Sequence, residues 1–148
     1  RFDATCEVAD AALWRKGKDF DLVLLDAPCT ATGTIRRHPD VAWLKDPRDV
    51  AKLSASQDAL IDAALALAKP GGIILYCTCS LQLEEGPERI AAALKRHADL
   101  ARLPVKAEEV YGFKELVTPD GDLRSLPSHL PQLGGIDGFY AARLVKRA

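Results

Sequence analysis

Two apolar runs, each leading into a cysteine-bearing stretch and separated by one amphipathic segment, constrain this chain more than any other feature. The first is Asp21-Leu-Val-Leu-Leu-Asp26, followed by Ala-Pro-Cys29; the second is Gly71-Gly-Ile-Ile-Leu-Tyr-Cys-Thr-Cys79. Both are rich in Leu, Val and Ile with no polar alternation, the pattern of strands buried on both faces. Between them, the segment 54–72 sets Leu60, Ile61, Ala64, Leu65 and Ala68 on one helical stripe and closes on Lys-Pro-Gly-Gly, a helix stop. Strand, helix and strand in that order imply a parallel pair joined by a right-handed crossover. The fold class is therefore an α/β sheet covered by helices.

The rest of the chain extends this plan. After the second run, the acidic stretch at Glu84 and Glu85 leads to Pro87 in a first helical turn, with Ile90, Ala91 and Leu94 facing inward. Residues 99–135 are richer in Pro, Gly and charge, with a short strand expected within 113–119 and a loop through 119–135. The segment 138–147 reads as a closing strand. At 148 residues, about half of them hydrophobic, the chain has enough apolar material for one domain with a modest core.

Composition also restricts function. No apolar stretch reaches the roughly 18 to 20 residues needed to cross a bilayer, and the start carries no signal-peptide core, so a cytoplasmic protein is expected. A net charge of -1 argues against a broadly basic nucleic-acid footprint, although Arg36, Arg37, His38, Lys45, Arg48 and Lys52 form a local cluster. Arg36 and Arg37 have two readings, phosphate contacts or partners of nearby acids; Trp43 is either core or a stacking surface for a base.

In open α/β sheets ligands gather at the carboxyl ends of the strands, where Asp26, Cys29, Cys77 and Cys79 fall. Thiols in a reducing compartment stay free. Four cysteines and three histidines without a Cys-x-x-Cys knuckle or paired His spacing do not make a zinc site, so no metal is expected. A catalytic thiol needs a positive charge, a helix N-terminus or a base beside it, and the loops after both strands can supply one. Cys77 and Cys79 do not serve one pocket equally; Cys77, like Cys6, is expected to be a packing residue. Asp26 either caps a loop or hydrogen-bonds a ligand.

With Asp-Ala-Pro-Cys-Thr-Ala-Thr-Gly at 26–33, Arg-Arg-His-Pro-Asp at 36–40, Tyr-Cys-Thr-Cys-Ser at 76–80 and Asp-Gly-Phe-Tyr-Ala-Ala-Arg-Leu at 137–144, the chain resembles the RNA cytosine-5 methyltransferases of the Nop2/Sun type. The resemblance runs over essentially the whole chain. It implies a Rossmann-like enzyme that uses S-adenosyl-L-methionine and acts on ribosomal RNA, that of the small subunit. It further implies that Cys79 is the nucleophile, that Cys29 helps release the product, that Asp26 belongs to the cofactor and base pocket, and that Asp3 meets the adenosyl group. The family often has Asn where this chain has Gly86.

The same resemblance makes residues 1–148 the C-terminal portion of a catalytic domain, with the glycine-rich cofactor loop upstream of Arg1. The isolated chain is then expected to bind cofactor weakly. Its sheet should keep 21–26 and 72–79 parallel, with the closing strand antiparallel beside the second. The open side of 21–26 should be covered by another copy or by segment 1–20, because an unpaired edge invites pairing.

Cytosine chemistry gives two thiols separate tasks. Carbon 5 of cytosine is a poor nucleophile until a thiolate adds to carbon 6, after which carbon 5 can take a methyl group. A second thiol can then assist proton loss and expulsion of the first. This reading holds one base between two strand ends. Two alternatives remain open: a DNA cytosine-5 methyltransferase with Cys29 as nucleophile, and a non-catalytic RNA-binding scaffold.

Overall fold

The computed structural model describes residues 3–14 and 19–147. Its strands are β1 (Phe20–Asp26), β2 (Ala68–Thr78), β3 (Leu100–Arg102), β4 (Leu123–Ser125) and β5 (Phe139–Lys146); its helices are α1 (Val41–Leu44), α2 (Pro47–Leu67) and α3 (Pro87–Arg96). The strands form one sheet in the order β1-β2-β5-β3, with β4 also on β5. β1 and β2 run parallel, with Leu22 opposite Ile73 and Asp26 opposite Cys77. β5 is antiparallel to β2, β3 and β4. The parallel pair and the antiparallel closing strand expected from sequence are both present.

Helix α2 starts at Pro47, ahead of the stripe that first suggested it, because Asp46 caps it. The Asp46 side chain accepts from the Arg48 amide at 2.8 Å and its own amide donates to Asp49 at 3.0 Å, with Pro47 at the first helical position. The helix stops at Leu67 and β2 begins at once at Ala68, so Lys69-Pro-Gly-Gly lies inside the strand. There β2 advances from 68 to 73 while β1 advances only from 20 to 22, and Gly71 takes φ 77°. A residue without Cβ tolerates that left-handed backbone, and the irregularity absorbs the extra length. Helix α3 begins at Pro87 as expected and carries Lys95 and Arg96 in its last turn, where positive charge complements the helix dipole.

Two expectations change. The strand anticipated in 113–119 is a 3-10 turn at Lys114–Leu116 followed by an isolated bridge from Val117 to Leu123. The observed strands, β3 and β4, fall outside it and use the free side of β5. Available backbone partners decided this, since propensity in three-residue strands is weak.

The second change concerns 21–26, which is not buried on both faces. Val23 and Leu25 pack against the core formed by Ile61, Leu65, Ile74, Tyr76, Ile90 and Leu144, whereas Leu22 and Leu24 are 55% and 64% exposed. α2 and α3 contribute to the core on one side of the sheet. Among the described residues no helix packs against β1 on the other side, so strand alternation sends every second side chain outward. β1 is also an edge strand. Within the segment expected to cover it, Trp14 approaches Phe20 with ring centroids 6.2 Å apart. A groove of about 360 Å³ separates Thr5 and Trp14 from Val23, Leu25 and Leu60. Residues 1, 2 and 15–18 of that segment lie outside the described residues.

Candidate active site

Because β1 and β2 are parallel neighbours, their carboxyl ends emerge side by side. The pairing continues past the strands: the Ala27 amide donates to the Cys77 carbonyl at 2.9 Å, and the Gly33 amide to the Cys79 carbonyl at 2.9 Å. Gly138 then donates to the Gly33 carbonyl at 2.8 Å. A Cβ on Gly33 would lie 2.1 Å from the Gly138 oxygen and 2.6 Å from the Cys79 oxygen, so only glycine lets these three loops meet.

The consequence is a pair of half-buried thiols in contact, Cys29 Sγ and Cys79 Sγ 3.5 Å apart, both free. Burial pushes the Cys79 thiol well above the ordinary thiol range, and the neighbouring Cys29 and Asp26 charges push the same way.

The other sequence candidates divide. Asp26 is exposed at the end of β1, and its charge disfavours ionisation of both Cys77 and Cys79. Asp3 is exposed in a segment without secondary structure and forms no hydrogen bond or ion pair with another described residue. Cys77 is buried, and burial followed by Asp26 pushes its thiol up to about 11, as suits a packing residue. Cys6, expected to pack, is instead exposed, in a segment without regular secondary structure over residues 3–10. Trp43 is 87% exposed, which excludes the core reading and leaves a free aromatic face. Arg36 and Arg37 pair with Asp137, and Arg36 also donates to the Gly134 carbonyl at 2.9 Å. The local-acid reading holds for both.

Sequence reasoning missed a polar cluster directly behind the thiols. Glu85 is fully buried, and its carboxylate accepts from the Thr30 amide at 3.0 and 3.2 Å, the Thr30 hydroxyl at 2.5 Å and Gln57 Nε2 at 3.1 Å. The Thr30 hydroxyl also meets Ser80 Oγ at 3.1 Å. Gln57 donates to the Pro28 carbonyl at 2.8 Å, and Tyr76 donates to the Glu85 carbonyl at 2.6 Å. In one dimension Glu84 and Glu85 look alike, as acidic residues before a helix; only the second is enclosed. Gly86 belongs to the same close packing, since a Cβ there would stand 3.1 Å from the Tyr140 ring. Among the described residues no group of three or more His, Cys, Asp or Glu is placed to hold a metal ion, and no helix is long and apolar enough to cross a membrane.

A parallel strand pair closed by an antiparallel strand, with its reactive groups at the carboxyl ends, is the Rossmann-like fold of S-adenosylmethionine-dependent methyltransferases. The family model described as 16S rRNA methyltransferase RsmB/F matches residues 4–145, and the chain belongs to that family. It is 44% identical over 137 residues to the ribosomal RNA small subunit methyltransferase B of Erwinia tasmaniensis, covering 92% of this chain and 28% of that protein. The chain thus spans little more than a quarter of the length of the curated relatives it matches. Among solved structures, NSun6 from Pyrococcus horikoshii with SFG superposes with a TM-score of 0.72 at 25% identity, covering 95% of this chain and 34% of that one. A methyltransferase homolog protein from Pyrococcus horikoshii gives 0.63 at 31% identity, covering 87% and 40%.

Proposed function

We propose that this chain is the C-terminal portion of a catalytic domain that methylates carbon 5 of a cytosine in ribosomal RNA, with Cys79 as nucleophile and Cys29 as the thiol that assists release. The observation carrying this reading is the 3.5 Å contact between the two sulfurs at adjoining strand ends. Ribosomal RNA, and the small-subunit RNA in particular, is the substrate that the names of the relatives favour.

In this mechanism the Cys79 thiolate adds to carbon 6, and the electron pair displaced from the double bond makes carbon 5 nucleophilic. When bound, S-adenosyl-L-methionine would supply an electrophilic methyl group to carbon 5, its sulfur keeping the electron pair of the broken S–CH3 bond as a neutral thioether. A base removes the proton from carbon 5, the double bond re-forms, and the Cys79 sulfur leaves with the electron pair of its bond to carbon 6. In this reading Cys29 exchanges a proton during release, a role supported by its contact with that sulfur. Asp26 suits a cationic sulfonium ligand, being an exposed carboxylate close enough to affect both neighbouring thiols. A nearby cation would also favour the Cys79 thiolate that burial opposes. The residue for which the adenosyl contact was expected, Asp3, is exposed and open to such a ligand. The target base must leave its stack to reach the thiols, and the exposed face of Trp43 offers a surface for an adjacent base.

The test uses RNA carrying 5-fluorocytosine, in which the fluorine blocks release. Cys79→Ala is expected to abolish both methylation and covalent trapping, whereas Cys29→Ala accumulates adduct on ordinary RNA. Reversal of the two outcomes overturns the roles and favours Cys29 as nucleophile.

A further inference from the structure

The residues immediately after the two thiols are tied to one buried carboxylate. Thr30 follows Cys29 and gives Glu85 both its amide and its hydroxyl; Ser80 follows Cys79 and meets that hydroxyl at 3.1 Å. A second tie holds the residue before Cys29, since Gln57 bonds both Glu85 and the Pro28 carbonyl. Glu85 is 0% exposed, and its carboxylate accepts from Thr30 in the Cys29 loop and from Gln57 on α2, which also holds the Pro28 carbonyl. Burial of a carboxylate is costly unless donors converge on it, and here the Thr30 amide and hydroxyl come from the Cys29 loop and the Gln57 amide from α2.

We propose that Glu85 is a positioning residue that sets the distance between Cys29 and Cys79, with the Thr30–Ser80 hydroxyl contact carrying the constraint from one thiol loop to the other. Its effect on methyl transfer rests on the function proposed above; its effect on thiol spacing does not. Glu85→Gln replaces one carboxylate acceptor by an amide donor that faces Thr30 or Gln57. Thr30→Val keeps the side-chain shape and the amide but removes the hydroxyl shared by Glu85 and Ser80. Thr30→Ser restores that hydroxyl.

Two readouts test the proposal. In the first, diamide oxidises the Cys29 and Cys79 thiols to a disulfide; two electrons and two protons pass to diamide, which becomes the hydrazine. Sulfurs held at 3.5 Å need only close to about 2.05 Å to bond. Thr30→Val is expected to slow this oxidation about tenfold, and Thr30→Ser to recover it. In the second, Thr30→Val and Glu85→Gln are expected to lower kcat for RNA methylation about 100-fold while KM for RNA stays near that of the unaltered protein. Unchanged oxidation and unchanged kcat in a folded Thr30→Val protein overturn the proposal, as does a Thr30→Ser protein as impaired as Thr30→Val. If Glu85→Gln does not fold, the Thr30 pair decides. Changed oxidation in a protein that never methylates RNA upholds the spacing role and removes the functional reading; methylation with unaltered oxidation and kcat does the reverse.

Discussion

The two faces of the sheet draw on the same residue types and end in opposite environments. On the face packed by α2 and α3, Ile74, Tyr76, Ala142 and Leu144 are fully buried. On the other, strand register aligns Leu22 with Ile73 and Val145, and Leu24 with Leu75 and Arg143, yet Leu22 and Leu24 are more than half exposed. Arg143 does not shield that row; its guanidinium is drawn to Glu109 and to the Leu103 and Pro104 carbonyls. Hydrophobic side chains create the capacity for burial, whereas a second layer of structure decides whether burial occurs.

The largest expected contrast is in stability. Ile61→Ala, on the packed face, should destabilise the fold by about 2 to 5 kcal/mol, because it removes buried methyl groups and leaves a cavity. Urea unfolding measures it. A cost under about 1 kcal/mol would show that the packed face is looser than its burial implies.

A second contrast concerns thiol chemistry. Cys77 has its thiol raised to about 11, so at pH 8 the folded protein holds less of it as thiolate than the unfolded chain does. Iodoacetamide should label it about 100-fold more slowly in native protein than in urea, counting ionisation alone. The native rate should rise about tenfold per pH unit until the thiol titrates. Mass spectrometry of the labelled peptide checks this, and equal native and unfolded rates would break the contrast.

The smallest effect is expected at Leu24. If the outer face is bare in solution, Leu24→Ala should cost less than about 0.5 kcal/mol at any protein concentration. If the chain self-associates through 21–26, as its sequence suggests, the cost should grow with concentration and light scattering should shift toward the monomer in Leu24→Lys. Those two results distinguish a bare face from a face covered by a second copy.

How far the site could be read in advance depends on the range of each interaction. Cys29 and Cys79 were legible because each ends a recognisable apolar run, and parallel pairing brings strand ends together whatever the loops do. The role of Glu85 was not legible, since its partners Thr30 and Gln57 lie 55 and 28 residues away. Asp137 likewise meets Arg36 and Arg37 across about a hundred residues, so the two readings of those arginines could not be separated from sequence. The length of α2 could have been extended by recognising Asp46-Pro-Arg-Asp49 as a cap, a local signal that was present and overlooked.

By itself the sequence determined the α/β class, the parallel pair, the crossover helix, the closing strand and the two thiol-bearing strand ends, because periodicity and strand connectivity act over short stretches and admit few topologies. Tertiary structure alone decided that one face of β1 is exposed, that β3 and β4 form on the free side of β5, and that the thiols touch at 3.5 Å. Those outcomes depend on which layers, backbone edges and buried donors meet across long separations, and no single stretch of the chain contains that information.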